Sequence, residues 1–147
     1  MKITEALSAE HQVFQSTFDH IEVELPKLKT LAEVKSVASL MEAMLRAHTD
    51  SEDELFIGPL EHCFEQIGQR ETFHQEHEQI EGAFRLLQKA SRLKQARDLL
   101  LKAIAASRHH LDKEERIVFP MAERVLKSKT LAALGQSWME RRSRFSR

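Results

Sequence analysis

Four long stretches of this 147-residue chain carry apolar side chains at steps of three and four, and each also sets one histidine in its apolar stripe. That spacing keeps the residues on one face of an α-helix, because side chains three and four apart stack along the same side. The first stripe runs Ile3, Leu7, His11, Phe14, Phe18, Ile21, Leu25 and stops before Pro26, which disfavours helical geometry in the residue preceding it. The second opens at Thr30, with Glu33 completing a capping box. It continues through Val34, Val37, Met41, Met44/Leu45, His48, Glu52 and Leu55 until Gly58-Pro59 ends it, leaving residues 58–68 as a connection. The third, Gln69 to Lys89, shows Phe73, His77, Ile80, Phe84 and Leu87. The fourth begins within 92–96 and presents Ala96, Leu100, Ala103, Ser107, His110, Glu114, Ile117/Val118 and Met121, with Pro120 expected to kink or end it.

Four such helices can bury their stripes only against one another, so the expected fold is all-α, an up-down antiparallel four-helix bundle. The bundle spans residues 3–127 of a single domain, 1–147. A short fifth helix is expected over 130–140, where Leu131, Leu134 and Trp138 recur, followed by a basic tail, 141–147. Four glycines and three prolines agree with long helices. A net charge of −1 gives no reason to expect nucleic acid, and no apolar run approaches a membrane span. The N-terminal stretch is acidic and polar where a signal peptide would be apolar. Cys63 stands alone, which excludes an internal disulfide framework and makes a cytoplasmic setting the expectation. The chain has no tyrosine, so tyrosyl-radical chemistry is excluded.

The inward histidines are His11, His48, His77 and His110. In the second and fourth helices a glutamate follows four residues later, giving His48…Glu52 and His110…Glu114 on one face each. Burying carboxylates without partners costs several kcal/mol, and no lysine or arginine shares these inner faces. Two cations would supply the missing positive charge. The order His, His-x-x-x-Glu, His, His-x-x-x-Glu is itself a repeat, and residues 48–61 echo 110–123 in their histidine, paired acids, phenylalanine and proline. That repeat places two similar ions about a pseudo-twofold axis, with histidines terminal and glutamates bridging. His74 is a possible additional ligand, three residues before His77, with Phe73 competing for the inward position. His20, His62 and His109 fall outside the pattern and are expected on the surface. Imidazole with carboxylate suits iron, and also manganese or zinc. Ferritin-like Glu-x-x-His spelling occurs only at Glu71…His74, there is no HExxH, and a haem would leave the glutamates unexplained.

The residues His11, His48/Glu52, His77, His110/Glu114 and the stretch Glu114-Glu115-Arg116-Ile117-Val118-Phe119-Pro120 resemble the hemerythrin-like, or HHE cation-binding, family over roughly residues 5–140. The resemblance implies an up-down bundle around a non-haem di-iron centre bridged by two carboxylates and an oxo or hydroxo group. It implies that His11, His48, His77 and His110 are terminal ligands and that Glu52 and Glu114 bridge. Oxygen-carrying hemerythrins have His-x-x-x-His on the third helix, where this chain has Phe73, and space the last acid five residues from its histidine rather than four. The expected function is therefore binding of, or reaction with, a small ligand such as O2, NO or H2O2, in a cavity lined by Phe14, Phe18, Phe73, Phe84 and Leu111. Iron or oxygen sensing, or iron storage and repair without turnover, is the alternative.

Overall fold

Helical periodicity is realised from end to end: the computed structural model, which describes residues 1–144, has no strand among those residues. Helix α1 spans Ile3–Glu24 and passes into a single 3-10 turn, Leu25–Lys27, that contains Pro26. Helix α2, Leu31–Glu52, starts as its sequence predicts. The Glu33 N–H donates to the Thr30 hydroxyl at 3.1 Å, and the Thr30 N–H donates back to the Glu33 carboxylate at 3.1 Å.

Gly58-Pro59 does not end this rod. A five-residue π segment, Asp53–Ile57, leads straight into α3, Gly58–Gln66, so the expected connection over 58–68 is largely helix. The rod stops at Gly68, whose φ of 69° is in the left-handed region that glycine enters without steric cost. Helix α4, Arg70–Gln88, and helix α5, Leu93–Lys113, follow. A second π segment, Glu114–Val118, then leads into α6, Phe119–Val125, so Pro120 does not end its rod either.

One physical cause accounts for both differences. Proline inside an α-helix lacks the N–H and clashes with the carbonyl four residues back. A π turn carries one extra residue, shown by the Phe119 N–H bonding to Glu114 O, five residues back. Pro59 and Pro120 each then fall in the first turn of the helix that resumes, where their missing N–H matters little.

The last helix, α7, spans Ser128–Ser143, longer at both ends than expected. Arg141 and Arg142, assigned from sequence to a basic tail, belong to it; residues 145–147 of that tail lie outside the described residues. Helix α4 packs along α5, α2 packs against both, and α1 packs against α5 and α7. Close approach of α7 to the start of α1 needs Gly135, because a Cβ there would collide with the Met1 carbonyl oxygen.

The apolar interior is divided in two. One cluster gathers Phe14, Phe18, Leu25, Met41, Phe84, Leu87, Leu100 and Ile104 among others. A second gathers Leu7, Phe56, Leu60, Phe64, Phe73, Phe119 and Leu131. On α1, α2 and α4, and where α5 passes into the second π segment, the residues between the two clusters include the histidines and glutamates singled out above.

Candidate metal centre

The helical registers bring all six inward residues together. Glu52 and Glu114 are 0 % exposed, and His11, His48 and His110 are also buried. His11, His48, Glu52 and Glu114 can direct one donor atom each to a common point, with those atoms within 4.8 Å of one another; Glu52, His77 and His110 form a second such group. His74 enters neither group. It is exposed on α4, while Phe73 takes the inward position and packs against His77 and His110 at ring separations of 4.7 and 5.0 Å. His20, His62 and His109 are exposed, as expected.

The distances within the groups discriminate between a hydrogen-bonded core and a metal site. Nε2 of His11 lies 3.2 Å from Nε2 of His48, and Nε2 of His77 lies 2.8 Å from Nε2 of His110. Nε2 of His48 is 2.7 Å from Glu52 Oε2, and Nε2 of His11 is 3.3 Å from Glu114 Oε1. Yet none of the four glutamate oxygens receives a properly directed hydrogen bond from the described residues. Lone pairs crowded at this range repel unless a proton or cation lies among them. Donor atoms bound at about 2.1 Å to one ion, at right angles, stand about 3 Å apart. The residues therefore fit a site for metal cations.

The opposite ring nitrogens confirm the orientation. His11 Nδ1–H donates to Glu115 at 2.9 Å, His48 Nδ1–H to Glu10 at 3.2 Å, and His110 Nδ1–H to Glu76 at 3.0 Å. A carboxylate on one ring nitrogen fixes the tautomer that leaves the other nitrogen's lone pair free for a metal. These contacts obey the repeat seen in the sequence. Glu10-His11 on α1 corresponds to Glu76-His77 on α4, and Glu52-Asp53 corresponds to Glu114-Glu115. The position matching Glu115 is thus Asp53, one methylene shorter, and its oxygen stops 3.9 Å from His77 Nδ1. His77 alone lacks a bonded carboxylate.

Without a cation the site carries its charge unevenly. Burial disfavours the His48 cation, but Glu52 and Glu10 outweigh it and raise His48 to about 9. Burial together with the neighbouring His110 charge depresses His77 to about 4, leaving it neutral and ready to ligate. The two central carboxyls cannot both ionise. Burial acts against charge on each, but Glu52, beside His48, is held well below the ordinary range, whereas Glu114 is pushed well above it by burial and by Glu52. Burial opposes charge on Glu76 as well, yet bonds from His110 and Lys113 win and hold it at about 2.

A cavity of about 40 Å³ lies beside this centre among α2, α4 and α5. His48, His77 and His110 form its inner end, Leu45, Ile80, Phe84 and Leu111 its apolar wall, and Glu42, Arg46, Thr49 and Glu81 its outer rim. Of the residues expected to line a ligand cavity, Phe84 and Leu111 do so. Phe14 instead sets its edge against His48, Phe18 lies beneath the Arg108 guanidinium, and Phe73 packs against the rings of His77 and His110. Phe14 and Phe73 therefore pack against the inward histidines rather than line the cavity.

Sequence reasoning did not single out Glu10, Asp53 or Glu76, and it quoted Glu115 only within the Glu114–Pro120 stretch, with no role of its own. Their signal was present: both Glu-His dipeptides sit on equivalent helices, and both inner glutamates are followed by an acid.

Residues 68–137 match the family model described as Hemerythrin HHE cation binding domain. The matched segment includes His77, His110 and Glu114, together with the second π segment. No curated protein and no solved structure matches the chain. No helix among the described residues is long and apolar enough to cross a membrane.

Proposed function

We propose that this chain is a hemerythrin-like domain in which α1, the α2–α3 rod, α4 and the α5–α6 rod form an up-down antiparallel four-helix bundle around two iron ions. In this reading α7 packs against the outside of the bundle. His11 and His48 would hold the first ion and His77 and His110 the second, with Glu52 and Glu114 shared between the two. Zinc and manganese accept the same donors. When bound, the pair supplies Lewis acidity and redox capacity for a small ligand: O2, NO or H2O2. The single thiol, Cys63, fits a reducing cytoplasmic setting.

The protein's own contribution is to orient, exclude and admit. Glu10, Glu76 and Glu115 fix the tautomers of three histidines. At about 40 Å³ the cavity has room for a molecule of a few atoms, since one water needs about 10–15 Å³ of such volume. The cavity meets both histidines of the second ion, His77 and His110, but only His48 of the first. Ligand entry is therefore assigned to the second ion. His77, held neutral, needs no deprotonation before it coordinates.

The carrying observation is that two fully buried carboxylates receive no directed hydrogen bond from the described residues while four imidazole nitrogens crowd around them. Anaerobic purification with metal analysis, then absorption spectra before and after O2, NO and peroxide, tests the reading. Two ions per chain and a ligand-dependent spectrum are expected, and Glu52→Ala or Glu114→Ala should lower the stoichiometry to one or none. Full retention of two ions by both variants overturns the bridging assignment. Reversible colour change on cycling with air marks a carrier, and turnover with a reductant marks an enzyme.

A further inference from the structure

The two halves of the site differ in what secures their outer carboxylates. Behind His110, Glu76 accepts a 2.6 Å bond from Lys113, which lies three residues after that histidine on the same helix. Three residues after His48 stands Ser51, buried and bonded to the Ala47 carbonyl, so α2 supplies no cation at the equivalent place. Glu10, behind His48, is secured from another element altogether. The Trp138 indole N–H donates to Glu10 Oε1 at 2.9 Å, and Arg142 donates to Oε2 from Nε and to Oε1 from Nη2, each at 3.0 Å. Both side chains of that ion pair are mostly buried, and the guanidinium also lies over the Trp138 ring.

We propose that α7 completes the first half of the metal centre, with Trp138 and Arg142 as positioning residues that hold Glu10 and, through it, His48. The proposal rests on the two-ion reading above. Arg142 supplies from α7 what Lys113 supplies from within its own helix in the other half. A carboxylate gripped at both oxygens cannot swing away, so His48 keeps Nδ1–H outward and Nε2 inward. Coupling between two equilibria is reciprocal: docked α7 strengthens binding of the first ion, and the first ion strengthens docking of α7. In the other half His110 is held from α4 and α5 instead, through Glu76 and Lys113.

The test uses the full chain and zinc, which is closed-shell and leaves tryptophan emission unquenched, titrated against a competing chelator. Wild type should take up two ions. Glu10→Ala should weaken one of them by about 10- to 100-fold, and Trp138→Phe and Arg142→Ala by about 3- to 10-fold, the low end for an outer partner of a ligand. Arg142→Lys should recover part of the loss. Arg141→Ala, which removes a neighbouring α7 contact to Glu54 without touching Glu10, should bind as wild type. The Arg142→Ala loss should persist in a His77→Ala background and vanish in a His11→Ala background. Trp138 is the sole tryptophan, so its emission should shift on adding zinc to wild type and to His77→Ala, but not to Glu10→Ala. Equal zinc affinity of Arg142→Ala and wild type, or an equal loss in Arg141→Ala, overturns the role of α7 while leaving the two-ion site intact. A wild type that binds fewer than two ions overturns the two-ion reading itself.

Discussion

One methylene separates Glu115 from Asp53, its counterpart in the other half of the centre. Glu115 reaches His11 Nδ1 at 2.9 Å, whereas Asp53, in the matching place, stops 3.9 Å from His77. Asp53→Glu should close the gap and tighten the second ion by roughly threefold to tenfold, the reverse of losing such a partner; competition titration reads it. Protonation gives a second expectation for the metal-free protein. His48 has a folded value of about 9 against an ordinary 6.5, so the stability it adds is full below 6.5 and lost as pH rises through 9. His77, at about 4, adds stability that is present above 6.5 and lost as pH falls through 4. Glu76, at about 2 against 4.5, loses its contribution at still lower pH. Denaturant unfolding in a chelator should therefore put the stability optimum no higher than about pH 6.5, because the raised Glu114 and Asp53 carboxyls also lose stability as pH rises. With metal present the optimum should move to higher pH, because ions displace the proton that His48 otherwise keeps.

Among the elements, the amphipathic stripes were legible because burial and a 3.6-residue period act on the same side chains. His11, His48, Glu52, His77, His110 and Glu114 could be picked out as polar residues at apolar positions. The π segments could not, because proline ends a helix in any reading that assumes a constant period, and a widened turn has no spelling of its own. The outer carboxylates were hidden for a different reason: in helices rich in glutamate, a single Glu-His pair looks like solvated surface. Each π segment also sets which face the following helix buries. Helix α7 depends on contact rather than periodicity, and Gly135 is where it meets Met1. Gly135→Ala should destabilise the protein by about 1–3 kcal/mol, as overpacking does, measured by chemical denaturation, with α7 the first segment to gain hydrogen exchange.

Across the whole molecule, the six inward residues form a polar stratum between the apolar cluster containing Phe18 and Leu100 and the one containing Phe56 and Phe119. Each long helix crosses that stratum once. An apolar interior usually transmits cooperativity by continuous packing, and here the continuity is interrupted at mid-height. Calorimetry with metal should give one sharp transition, and calorimetry in excess chelator a broad or split one, with the Phe56 block melting separately from the Phe18 block. In the two-ion reading, the ions act as rivets through a seam. Their loss would free the two ends of the barrel to breathe independently, so that water reaches the interior from its equator before it reaches either cap.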